Sequence, residues 1–233
     1  MTEIVLSCEA LVFGYDRPLC APLTWQVRRG EVWAIAGRNG CGKTTLLRTI
    51  LGFVRPRGGK IMLTQSRAYV AQTMDIRAVP VRVEDVVYMG AECGLSGFMP
   101  WYRRRFNKAV EGLMSMFELD RLRRRSFHEI SPGERQRALL AQAMVRDPEL
   151  VCLDEATSAM DPKHTHDSFG HLVTYAQDHA CAIVAVSHSL HAQLEHVTHL
   201  LVFSENRCFC GKRDDILHQH ADLFRSGIGN SGG

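Results

Sequence analysis

The sequence predicts an α/β fold, a mixed sheet whose chain path is interrupted by a block of helices, and three observations predict it. The apolar run Val32–Ala36 reads as a buried strand and passes through a glycine-rich segment into the helix-forming run Thr45–Leu51. Two further apolar runs, Leu150–Leu153 and Ala182–Val186, flank a helical stretch at about 163–177, a crossover that lays parallel strands side by side. Between these regions, from about Thr73 to Val145, the pattern is helical.

At the N-terminal end, Ile4–Leu11 and Leu23–Val27 alternate apolar and polar residues as half-buried strands, and Arg29-Gly30-Glu31 turns the chain into Val32–Ala36. After the first helix, Arg55-Pro56-Arg57-Gly58-Gly59 breaks the pattern, and Lys60–Leu63 and Ala68–Ala71 read as strands. Helices are expected over Val83–Met89, Phe106–Phe117 and Pro132–Val145, with 90–100 as a loop. The block 73–148 is therefore expected to be a helical subdomain inserted into a single domain spanning 1–233. His199–Phe203 gives a further strand, and the Gly- and Ser-rich 226–233 reads as a flexible tail.

Composition narrows the classes. The chain has 233 residues and is 45% hydrophobic, enough to bury a real core, yet no apolar run reaches the ~18–20 residues that span a bilayer. Met1–Glu9 lacks a basic segment followed by an apolar one, so a secretion signal is not expected and a cytoplasmic location is. A net charge of +3 is too small to argue for nucleic acid as a partner. Arg103–Arg105 and Arg121, Arg123, Arg124 and Arg125 form local clusters, read as solvated helix ends or as a face toward anionic lipid or an acidic partner. Eight cysteines without a C-x-x-C pair imply reduced thiols. Eleven histidines include short-spaced pairs such as His188 and His191, but nothing completes a ligand set for a regulatory metal, and surface histidines account for most of them.

Gly37-Arg38-Asn39-Gly40-Cys41-Gly42-Lys43-Thr44 fits the phosphate-loop pattern G-x-x-x-x-G-K-[ST] at every fixed position, between a strand and a helix as the mechanism requires. The glycines let backbone N–H groups curl round a polyphosphate, and the helix N-terminus adds partial positive charge. Lys43 would reach the β- and γ-phosphates and the Thr44 hydroxyl would ligate Mg²⁺. Leu150–Glu155 is an apolar strand ending in two carboxylates. In open α/β sheets ligands sit beyond the carboxyl ends of strands, which places Asp154 to hold Mg²⁺ and Glu155 to polarise an attacking water. Taken alone, an Asp-Glu pair there would as readily cap the next helix. At Ser131-Pro132-Gly133-Glu134, Ser131 is a helix N-cap with Glu134 completing a capping box and Pro132 at the first helical position; the same N-terminus is also an anion site.

With these motifs the chain resembles the nucleotide-binding subunit of an ATP-binding-cassette (ABC) transporter over about residues 4–215. That family opens a helix with the signature L-S-G-G-Q, and Ile130–Glu134 stands in its place. The resemblance implies an ABC-type, RecA-like phosphate-loop NTPase core with a mixed sheet, an antiparallel β edge and the inserted helical subdomain. It implies ATP and Mg²⁺ as cofactors, with Gly37, Asn39, Gly40, Cys41, Gly42, Lys43, Thr44 and Thr45 cradling the phosphates. It also implies that Tyr15 stacks on adenine, that Gln72 touches Mg²⁺ and the attacking water, that His188 contacts the γ-phosphate, and that Asp161 lies in a loop crossing a dimer interface. Two copies would pack head to tail around two ATP molecules, each site combining one phosphate loop with Ser131, Gly133 and Glu134 of the other copy. The partners implied are an integral membrane permease and an extracytoplasmic solute-binding protein, with this subunit peripheral on the cytoplasmic side of the cell membrane.

The chain departs from the family pattern at Pro132, in place of the first signature glycine; at Glu134, in place of glutamine; at Ala156, in place of a frequent proline; and at Cys41, where serine is common. A thiol beside a lysine and a helix N-terminus is expected to have a lowered pKa, so that alkylation inhibits turnover and ATP protects. One cassette without a membrane span is the bacterial importer arrangement. Residues 60–71, a short connection for the family, and Val83–Gly90 resemble importers of zinc, manganese or iron and their siderophore-iron relatives. A divalent metal ion is favoured. An iron-siderophore or cobalamin importer, or a soluble non-transport ABC ATPase, is the alternative. Phe98–Arg103, apolar and basic, is a candidate for docking the permease.

Overall fold

A computed structural model describes residues 3–71, 81–91, 100–154, 162–186, 194–221 and 224. Their strands gather into two sheets. In the smaller, β1 (Ile4–Val12) pairs antiparallel with β2 (Leu23–Arg28) on one edge and with β4 (Gly58–Leu63) on the other. The larger runs in the order β5 (Arg67–Val70), β6 (Leu150–Asp154), β7 (Ala182–Val186), β3 (Val32–Ala36), β8 (His199–Ser204) and β9 (Arg207–Lys212). Its first five strands are parallel, and β9 returns antiparallel through the two-residue turn Glu205-Asn206. The expected mixed α/β fold is present, with β1, β2 and β4 forming a sheet of their own and β9 supplying the antiparallel edge of the large one.

Every residue of β3, β6 and β7 is buried, because both faces of the large sheet are covered. The two-residue alternation of a strand divides them. Trp33, Ile35, Cys152, Val184 and Leu201 face a core shared with the small sheet and with Leu46, Leu47 and Ile50 of α1 (Lys43–Ile50). Val32, Ala34, Val151, Leu153, Ile183, Ala185, Leu200 and Val202 face a second core formed with helices. Those helices are α2 (Val83–Met89), α3 (Pro100–Met116), α4 (Pro132–Met144), α5 (Pro162–His179) and α6 (Arg213–Gln219). α2 packs against both α3 and α4. At Gly90, which closes α2, a Cβ would lie 1.8 Å from the Gln142 carbonyl oxygen of α4, so only glycine permits this approach.

Two differences from the sequence reading have local causes. α3 starts at Pro100, six residues before the expected Phe106, since a proline is compatible with the first position of a helix. β9 and α6 were not expected. Arg-Cys-Phe-Cys-Gly-Lys is a weak strand sequence, and its turn lacks the glycine that marks a tight hairpin.

Candidate functional site

The chain leaves β3 at Ala36 and enters α1 at Lys43 through a loop that needs glycine at both ends. A Cβ on Gly37 would come within 2.8 Å of both Cys41 Sγ and Phe203 Cβ, and Gly42, the N-cap of α1, has φ +107°. Lys43 is 5% exposed, and its ammonium donates hydrogen bonds to the carbonyls of Gly37 (2.8 Å) and Arg38 (3.1 Å). The loop thus folds round a buried cation whose observed partners are neutral carbonyls.

One residue on, the Thr44 hydroxyl donates to Asp154 Oδ1 at 2.8 Å. Asp154 ends β6, which β7 separates from β3, and it is 3% exposed. Its other oxygen, Oδ2, accepts from the Tyr69 hydroxyl of β5 at 3.2 Å. Burial, followed by the negative charge of Asp154, holds the Tyr69 pKa above its ordinary value. The Tyr15 and Tyr69 hydroxyls near the Arg48 guanidinium of α1 raise its pKa.

A cavity of about 490 Å³ opens over the loop, lined by Tyr15, Leu19, Asn39, Gly40, Gly42, Lys43, Thr44 and Thr45. Tyr15 is 59% exposed at its rim, so it is not core packing; the Arg57 guanidinium fixes its backbone by donating to the Tyr15 carbonyl at 2.6 Å. The structure therefore brings together Tyr15, Asn39, Gly40, Gly42, Lys43, Thr44, Thr45 and, through Thr44, Asp154. Gly37 and Cys41 pack against each other within the loop, beside the cavity rather than in its lining.

The thiol expectation needs correction. Burial outweighs the favourable field of Lys43 and pushes the Cys41 pKa up, not down. Nearby, Cys20 and Cys208 lie with their sulfurs 3.5 Å apart.

α4 supplies none of the cavity lining. At its N-terminus the Ser131 Oγ accepts from Glu134 N at 3.3 Å, and Glu134 Oε2 accepts from Ser131 N at 2.7 Å, with Pro132 at the first helical position. The Ser131 N–H is the main reason the Glu134 pKa is lowered. Gln72, Glu155, Asp161 and His188 lie outside the described residues. Among those described, no cluster of three or more His, Cys, Asp or Glu is placed to hold a metal ion, and no helix is long and apolar enough to cross a membrane. Sequence reasoning assigned no role to Tyr69, Arg48 or Leu19. For Tyr69, the one available signal was an aromatic three residues before Gln72.

The family model for ABC transporters matches residues 20–158. The chain is 28% identical over 231 residues to the zinc import ATP-binding protein ZnuC 2 of Hahella chejuensis, covering 97% of this chain and 90% of that one. It is 31% identical over 214 residues to the molybdate import ATP-binding protein MolC of Haemophilus influenzae, covering 91% and 84%. A solved structure of a metal-chelate type ABC transporter in an inward-facing conformation superposes with a TM-score of 0.81 at 28% identity, covering 96% of this chain and 90% of that one. A phosphate loop with a buried lysine, a threonine–carboxylate pair beyond the strand ends, and a family match over more than half the sequence lead to one conclusion: this chain belongs to the ABC transporter family, as an ATP-binding subunit that hydrolyses ATP.

Proposed function

We propose that this subunit powers uptake of a metal ion (zinc, manganese or iron) through a separate membrane permease, working as a head-to-tail dimer on the cytoplasmic face of the membrane together with an extracytoplasmic solute-binding protein. The observation that carries the motor part of this reading is the Lys43–Thr44–Asp154 arrangement at the base of the cavity. The zinc import relative, matched along 97% of this chain, supports the metal. The molybdate import relative supports a second reading, an importer of an oxyanion or a chelate.

Each step uses groups of this chain. A triphosphate draws the Lys43 ammonium from the Gly37 and Arg38 carbonyls, while the loop N–H groups and the α1 N-terminus face its negative charge. Tyr15 stacks on adenine at the rim. The hydroxyl of Thr44 and the carboxylate of Asp154 meet at 2.8 Å and are hard oxygen donors, the kind Mg²⁺ takes, so the site fits that cation. Thr44 and Asp154 would hold it with Gln72, and when bound it neutralises phosphate charge. Glu155, next along the chain, polarises the attacking water, and His188 contacts the γ-phosphate. Ser131, Gly133 and Glu134 of the second copy complete the pocket, and Asp161 lies in the loop crossing between copies. The α2–α4 segment, within the inserted block 73–148, passes the closure to the permease. The opening of about 590 Å³ between β5, α2 and α4 is a place for the permease to bear on that segment.

Steady-state hydrolysis with Mg²⁺, comparing the wild type with Glu155→Gln, tests the motor: the variant is expected to bind ATP, stop turning over and accumulate as a dimer. Uptake of radiolabelled zinc, molybdate and ferric siderophore by cells with and without the chain tests the cargo. Loss of molybdate uptake alone would replace the metal-ion reading.

A further inference from the structure

We propose that Tyr69 is a positioning residue for the divalent cation: its hydroxyl fixes the orientation of the Asp154 carboxylate so that Oδ1, beside the Thr44 hydroxyl, is presented to the ion. The inference rests on the reading of Thr44 and Asp154 as the cation's protein ligands. Asp154 is almost fully buried, and each of its oxygens has a hydroxyl donor from a different element, Thr44 of α1 at 2.8 Å and Tyr69 of β5 at 3.2 Å. A carboxylate held by one oxygen can still rotate about its Cβ–Cγ bond. Held by both, it cannot turn without breaking a bond in a site where water is scarce. The Tyr69 ring is itself seated against Phe53, with centroids 5.5 Å apart. Outer partners of this kind orient a ligand without touching the metal, and their loss weakens metal affinity.

Tyr69→Phe removes the hydroxyl and keeps the ring against Phe53. The decisive measurement is the binding of Mn²⁺, as a spectroscopic stand-in for Mg²⁺, to the ATP-loaded protein by electron paramagnetic resonance, with fluorescent ATP analogue binding in EDTA alongside. The expected result is cation affinity weakened roughly tenfold, nucleotide affinity in EDTA unchanged, an unaltered thermal midpoint without nucleotide, and turnover recovered at saturating Mg²⁺. Unchanged Mn²⁺ affinity in Tyr69→Phe, with Asp154→Asn abolishing it, would overturn the role of Tyr69 and leave the cation site intact. A loss of nucleotide binding in EDTA equal to the loss of cation binding would overturn it too, since Tyr69 would then merely support the fold. No Mn²⁺ binding by wild type with ATP would overturn the reading of Thr44 and Asp154, and this proposal with it.

Discussion

Lys43 illustrates how much of the site a single residue carries. Its ammonium is buried against two carbonyls, so substitution removes a buried cation that the proposed function assigns to the phosphates. Lys43→Ala is expected to weaken ATP binding by on the order of a hundredfold, the value of about 3 kcal/mol of charge-assisted hydrogen bonding. A fluorescent ATP titration beside a thermal melt checks this, and a collapse of the melt would reassign Lys43 to stability. Two positions away the sequence misled about Cys41. Its neighbours in the chain, a lysine and a helix N-terminus, favour thiolate, but burial is a property of the fold and here it dominates. A raised pKa means less thiolate at neutral pH than a free cysteine has, and a gain only as pH climbs past the ordinary thiol range. Alkylation at Cys41, followed by mass spectrometry, is therefore expected to be slow at pH 7 and to accelerate above pH ~9. Fast modification at neutral pH would show that the loop opens.

At the scale of elements, α4 carries the sharpest departure from its family. Pro132 removes a backbone donor where the pattern has glycine, yet it suits the first turn, and the reciprocal Ser131–Glu134 bonds satisfy two further N–H groups. Ser131→Ala is expected to cost about 1 kcal/mol, a fall of roughly 2–4 °C in the thermal midpoint. The Glu134 half of the cap is pH-dependent. Its folded-state pKa is depressed, so its contribution is complete above the unfolded value and disappears as pH falls through the lowered one. Melts of the wild type and Glu134→Gln should differ at neutral pH and converge in acid, and a constant difference would assign the effect to shape rather than charge. The helix start was legible because caps are local in sequence. So were β3, the phosphate loop and α1, where an apolar run, four fixed residues and a helical run are contiguous. β9 was not, since its weak strand sequence gains order from pairing with β8. Tyr69 was missed for a related reason: its partner Asp154 is 85 residues away, and neither residue signals the other.

The whole molecule poses a question that one chain does not answer by itself. Its cavity holds the phosphate loop, while the exposed α4 N-terminus, with Ser131, contributes nothing to that cavity. If a second copy supplies Ser131, two-fold symmetry makes both sites composite, each with the loop of one chain and the α4 end of the other. Complementation separates this from a self-sufficient monomer. Lys43→Ala disables the loop, and Ser131→Arg blocks the α4 end, so each variant alone has no working site. Mixed in equal amounts, half of the dimers pair one chain of each kind. Such a dimer contains one site in which both halves are damaged and one in which both are intact. If each intact site works independently, hydrolysis by the mixture should return to roughly a quarter of the wild-type rate, while each variant alone stays near zero. A mixture as inactive as its components would mean that the α4 end does not complete a partner's site, or that both sites of a dimer must be intact together. Covalently linked dimers carrying a single Lys43→Ala decide between those two outcomes, because the linked dimer remains half-active if sites work alone and silent if they work as a pair.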